Sequence, residues 1–268
     1  MKRVLRVTLL IGGLASFIQL HAFAQQDTIM VNKKSVTKKY NMSWSLGGDR
    51  RDTVKVEKSS KGHIVTGITF TRLDLGFSRL IDNGSFSLSP QNDFLDYKDA
   101  KTSTVSFDLL HFGYRFNTNF KIYVAGGFDW TLIRLKKNIT IQEDNDALTY
   151  INEPIDFSKN RFSSSYAHFP LNFELRTKEN RNGKRLYLIF GPELGILLNG
   201  KVKQISDERG KEKNRDDFNF QSLRYGGSVR VGYGWIGLFT KYYFNDMFET
   251  PAQEGLKNMS FGISFGLN

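Results

Sequence analysis

The sequence contains no cysteine, only five prolines and only four histidines, and it holds no apolar run long enough to make a spanning helix. Each shortage excludes something. Without thiols there is no disulfide framework, no Cys-ligated zinc or iron–sulfur centre, no thiol nucleophile and no lipid-modified N-terminal Cys. Charges or polar residues interrupt every apolar stretch within ten or so positions, far short of the ~18–20 residues a membrane helix needs. Acidic residues are also under-represented, at 27 against 38 Lys and Arg, which leaves the 268-residue chain at +11. On these averages it reads as a soluble basic protein. Against the shortages stand 24 Gly, 23 Phe and 11 Tyr, with aromatics at 14%, a combination that suits strands rather than helices.

The first residues carry a targeting pattern. Lys2, Arg3 and Arg6 precede an uncharged, mostly apolar stretch from Val7 to Phe17, and Ala22-Phe23-Ala24 supplies a small-x-small site before Gln25. Residues 1–24 therefore read as a secretory signal cut between Ala24 and Gln25, and removing its three basic residues lowers the charge to +8. Residues 25–61 are polar and basic, with Lys33, Lys34, Lys38, Lys39, Arg50 and Arg51 among them, and show no sustained period. They are expected to be an extended linker.

From residue 62 onward the pattern alternates with period 2, the signature of strands. Eight runs appear, at 64–81, 104–116, 120–135, 166–176, 185–198, 223–233, 236–245 and 259–268. In the last, Met259, Phe261, Ile263, Phe265 and Leu267 alternate with small or polar residues. Two runs are less regular: the first settles into phase only at Leu73, and the second changes phase between Leu109 and Leu110, where a bulge is expected. Between the runs, connections 118–119, 177–184 and 234–235 are short, whereas 82–101, 138–160, 199–217 and 246–257 are long. Long and short strictly alternate. This predicts an all-β protein, an eight-stranded antiparallel up-and-down transmembrane barrel over 62–268, with its short turns and both termini in the periplasm.

Parity alone cannot distinguish this from a soluble barrel with apolar residues inside. Two features favour the membrane form. One set of faces is rich in Phe, Leu and Ile, while the other holds Arg72, Asp74, Lys121, Asp129, Glu174, Arg176, Arg185, Glu193, Arg224, Arg230 and Lys241. Those eleven are predicted to form a charge network filling the lumen, since eight strands leave room only for side chains. In addition, Trp130, Tyr225, Tyr233, Trp235, Tyr242 and Tyr243 lie near run ends, as interfacial girdles do.

The motifs resemble the PorT-like outer-membrane β-barrel family of Bacteroidota. The residues that carry the likeness are Leu73-Asp74-Leu75-Gly76, Phe162 to Tyr166 leading into Phe169-Pro170-Leu171, Phe190-Gly-Pro-Glu-Leu-Gly195, Val231-Gly-Tyr-Gly234, and Phe244 to Glu249. The resemblance implies residence in the outer membrane of a Gram-negative bacterium; one branch of the family assists a secretion system. Pro170 and Pro192 fall inside runs and each removes a ladder hydrogen bond, so strand register there is open.

Chemistry-bearing patterns are sparse. There is no Gly-x-Ser-x-Gly, His-Glu-x-x-His or phosphate-cradling loop. His168 and Glu174 share a face but lie ~20 Å apart along one strand, too far for a dyad. No enzyme activity, cofactor or metal is expected, and nucleic acid is an improbable partner for a secreted chain. Expected partners are outer-membrane lipid, the barrel-assembly machinery and an acidic periplasmic surface for the linker, which carries +5. The four long loops carry -2, -4, +1 and -2, so the outer end reads as negative.

Overall fold

The computed structural model describes residues 62–142 and 148–266, so the signal, its Ala24–Gln25 cleavage site and the linker 25–61 lie outside the described residues. Eight antiparallel strands form the wall: β1 (His63–Asp82), β2 (Ser103–Arg115), β3 (Phe120–Arg134), β6 (Lys159–Arg176), β7 (Leu186–Ser206), β9 (Leu223–Tyr233), β10 (Ile236–Tyr243) and β11 (Leu256–Gly266). Each pairs with its neighbour in the chain, β3 with β6, β7 with β9, and β11 closes onto β1 through Arg72↔Gly266 to Asp82↔Leu256. Closure leaves this ring without an unpaired edge. Three shorter strands belong to the long loops: β4 (Ile139–Ile141) pairs with β5 (Tyr150–Asn152), and β8 (Gly210–Asp216) extends β7 as a ribbon.

Burial decides what parity left open. Ile68, Leu110, Phe112, Leu194, Leu223, Val231 and Leu238 are exposed on the outside, whereas Asp74, Asp129, His168, Glu193, Arg230 and Lys241 are buried within. The wall is apolar outside and polar inside, the inverse of a soluble barrel. Aromatics mark the margins of the outer band. At the short-turn end Tyr114, Phe116 and Phe120 pack together and Trp235 stacks on Phe265, and Tyr225, Tyr242 and Phe244 pack together at the other. From Tyr225 to Tyr233 along a tilted strand is about 20 Å, close to the height of a transmembrane barrel's apolar band. Tyr243, expected in a girdle, instead faces the lumen at 4% exposure, because it follows Tyr242 and alternates inward.

Irregularities in the pattern have local causes. The phase change in β2 is a bulge at Leu109, between the pairs Asp108↔Gly127 and Leu110↔Gly126. The late phasing of β1 is a register shift against β2 between Ile68 and Arg72. The two prolines leave the register intact: Phe169↔Leu194, Pro170↔Glu193 and Phe173↔Phe190 keep one alignment with only the rungs at Leu171 and Asn172 lapsing, and Pro192↔Gly227 sits in an unbroken register with β9. Gly76 and Gly262 pair across β1 and β11, and a Cβ on Gly76 would stand 2.9 Å from the buried Phe239 ring, so the bareness of Gly76 makes room for it.

Two connections differ from expectation. Residues 199–217 are no loop, because β7 continues to Ser206 and returns as β8; and 138–160 contains the β4–β5 hairpin and the first residues of β6. The wall thus extends beyond the apolar band at its long-loop end. There its interior changes character, with Leu80, Ile133, Phe162, Val202 and Leu256 from the strands meeting Phe94, Leu95, Ile139, Phe218, Phe220 and Phe248 from the loops in a buried apolar cluster. Phe162 stacks on Phe220 and meets Phe218 edge-on, at centroid distances of 4.8 and 5.5 Å. This cap was not legible as separate loops, since its residues come from every long connection.

Candidate functional site

Alternation places one inward side chain every second residue, and the strand pairings bring inward residues from distant parts of the chain to one level. Asp74 on β1 lies at the centre of the lumen. Arg230 on β9 donates to its Oδ2 from Nε and Nη2 at 3.2 and 2.9 Å, and Ser264 on β11 donates to Oδ1 at 2.6 Å. Lys241 on β10 spans the next level, with Nζ 2.8 Å from Ser106 Oγ, 2.9 Å from Asp129 Oδ2 and 3.6 Å from Glu193 Oε1. Arg224 reaches Asp129 Oδ1 at 3.0 Å, its guanidinium held between the rings of Tyr166 and Tyr243 at 3.8 and 4.0 Å. Cation–π contacts of this kind strengthen where water is excluded.

His168 bridges two carboxylates, with Nδ1 3.2 Å from Glu193 Oε1 and Nε2 3.0 Å from Asp108 Oδ1. Tyr243 donates its hydroxyl to the same Glu193 oxygen at 2.9 Å. Towards the short-turn end, Arg72 donates to Tyr123 Oη at 3.0 Å and faces Asp108 at 3.7 Å, and Lys121 pairs with Glu174 at 2.9 Å across a directly opposed rung of β3 and β6. Arg176 binds Glu174 from the rim.

Of the eleven residues expected in the lumen, Arg72, Asp74, Lys121, Asp129, Glu174, Glu193, Arg224, Arg230 and Lys241 are gathered inside, and Arg176 sits at the margin. Arg185 does not belong with them. It precedes β7 in the 177–185 turn, where it binds Glu179 and the Thr118 carbonyl, because the strand begins only at Leu186. Asp108, His168, Tyr123, Tyr166 and Tyr243 join the network without having been anticipated. The bulge at Leu109 hid the inward phase of Asp108. Glu174, on the same strand, is too distant to partner His168, whose partners stand instead on β2 and β7.

The chemistry open to this arrangement is narrow. Donor atoms of Asp129, His168 and Glu193 lie within 4.8 Å of one another, a spacing that could hold a metal ion. The Lys241 ammonium already supplies the cation there, touching Asp129 and facing Glu193. Ser106 with Lys241 has the atoms of a Ser–Lys nucleophile pair, but an ammonium held by carboxylates is a poor base, and Ser106 is 2% exposed. Above Arg224 the cavity lined by Thr131, Ser164, Tyr166, Tyr243 and Asn258 measures about 10 Å³, room for about one water.

A family described as outer membrane protein beta-barrel domain matches residues 73–248, well over half the chain. A search of curated proteins gives no match. Among solved structures, one similar chain is Ail, the attachment invasion locus protein of Yersinia pestis, crystallised with the heparin analogue sucrose octasulfate. The two share 15% identity at a TM-score of 0.32, over 77% of this chain and 97% of that one.

Proposed function

The chain belongs to the family of outer membrane protein beta-barrel domains, and on that footing we propose that it is a non-enzymatic barrel with a closed lumen, which presents its long-loop cap as an interaction surface. The observation that carries this reading is the continuous cross-lumen series Arg230–Asp74, Lys241–Asp129 and Asp129–Arg224, whose members are all buried. Buried pairs of this kind resist opening, because removing one partner strands the other charge in a dry interior. A barrel locked in this way holds the membrane and offers its ends to partners; it has neither the bore of a pore nor the access of an active site.

Our reading of the orientation starts from the ends of the strands. β1 begins and β11 ends at the short-turn end, beside the turns 116–119 and 234–235, which puts both termini of the barrel on one side. In our reading that side is periplasmic, residues 1–24 are a cleaved signal, and the basic segment 25–61 lies against an anionic lipid or acidic protein surface. Insertion would require lipid and the barrel-assembly machinery. The test is conductance of purified, refolded protein in planar bilayers. No steady current is expected, and a large, stable one would overturn the closed lumen. Single cysteines labelled in whole cells test orientation: Phe86→Cys is expected to react with an impermeant reagent and Asn182→Cys to stay protected.

A further inference from the structure

The outward face of the β6–β7–β8 ribbon carries a cationic lattice. Arg134 on β3 opposes Arg161 on β6, Arg161 opposes Lys203 on β7, and Lys203 opposes Lys213 on β8, which makes one row of four cations across four strands. Neighbouring strands lie about 4.8 Å apart, so the row spans only about 14 Å. Lys201 opposes Arg215 one rung pair below, and Lys159 and Lys211 flank Ile205 one rung pair above. Like charges directly opposed across strands destabilise a sheet, so eight together is an arrangement that folding by itself disfavours. The acids of the ribbon alternate away: Glu212 stands opposite Gln204, and Asp216 opposite Gly200, both on the other face. The net +1 of residues 199–217 conceals this segregation, and the outer end is not uniformly negative. In addition, Arg161 Nε is buried without a hydrogen-bond partner.

We propose that this face binds the phosphate groups of outer-leaflet lipid headgroups. Charge complementarity names phosphate, and position names lipid. On β3 the outward residues run Phe128, Trp130, Leu132 and then Arg134; on β7 the exposed Leu194 and Leu198 are followed by Lys201 and Lys203. The cations therefore begin within two or three residues of the apolar band, on its lipid-facing side, at the height where headgroups sit. A site for a soluble polyanion would have no need to continue the membrane-facing surface. The proposal rests on the orientation given above, but its test does not, because lipid can be supplied to both leaflets.

The full chain, folded into nanodiscs of phosphatidylcholine with or without diphosphoryl lipid A, is treated with an amine-acylating reagent, and modification is read residue by residue by mass spectrometry. Lys201, Lys203, Lys211 and Lys213 are expected to be protected in the lipid A discs alone, while Lys178 and Lys184 in the short turn serve as unprotected controls. The variant K201Q/K203Q/K213Q should bind lipid A roughly a hundredfold more weakly, at about fivefold per charge, and K201R/K203R/K213R should retain binding. Heat-modifiable gel mobility shows that each variant is folded. Equal modification in both discs overturns the proposal. So does protection by added heparin or inorganic phosphate in phosphatidylcholine discs with none from lipid A, which would assign the face to a soluble polyanion.

Discussion

Within a few residues of β3 the barrel inverts. Phe128 points out and Asp129 in, whereas five residues on, Ile133 points in and Arg134 out. The same strand runs through both regions, with the same pleat and the same pairing partner β6. What changes is the medium outside. Opposite hydrocarbon, the wall turns its apolar residues outward and satisfies its charges against one another within; above the hydrocarbon, the wall and its loops bury Phe162, Phe220 and Phe248 as any soluble core does. The lumen and the cap are therefore two solutions to one requirement, that polar groups find partners and apolar groups avoid water.

That contrast can be broken in four places. Asp74→Ala strands the Arg230 guanidinium, which is 0% exposed, and is expected to cost about 3–5 kcal/mol in urea unfolding followed by heat-modifiable mobility. A cost below about 1 kcal/mol would mean that the lumenal charges are solvated. Phe162→Ala empties the centre of the cap at about 3 kcal/mol, an effect expected to stay local. Protease nicking of the long loops should then rise while the barrel keeps its folded mobility; simultaneous loss of both would show the two regions to be one cooperative unit.

Leu238→Arg, on the outer face at 68% exposure, should cost about 2–4 kcal/mol in lipid. Phe86→Arg, at 64% exposure on a long loop, should cost nothing measurable, and equal costs would deny that the two outer faces meet different media. The smallest effect concerns Glu153 in the cap, whose carboxyl the hydrogen bonds from Arg209 and Thr140 hold below its usual range. Because the folded value is depressed, its contribution is present above the unfolded carboxylate value of about 4.3 and fades as pH falls through the folded one. Exposed as Arg209 is, solvent screens the pair and its contribution is small. Pepsin nicking of 135–158 should increase on acidification in the wild type, and Glu153→Gln should lack that pH dependence.

Much of the barrel was legible because its rule is local. Period-2 alternation in 223–233 and 236–245 places Arg224, Arg230 and Lys241 opposite Val229, Val231 and Leu238 without reference to any other strand. Legibility failed where a position depended on a neighbour or on where a strand stopped. Arg185 kept the alternation of β7 but fell just outside it, and Asp108 was concealed by a bulge whose geometry exists only against β3. Residues 201–215 alternate charge as plainly as any strand, yet the net +1 over 199–217 averages the pattern away.

The sequence by itself determined the number of wall strands, their alternating connections and most of the residues that share a face, because those follow from a two-residue period and from turn spacing. Only the tertiary structure decided that His168 joins Asp108 and Glu193, and that cations from four strands form a single surface. The physical reason is that alternation is a property of one chain segment, whereas partner and patch are relations between strands that only closure of the ring brings into register.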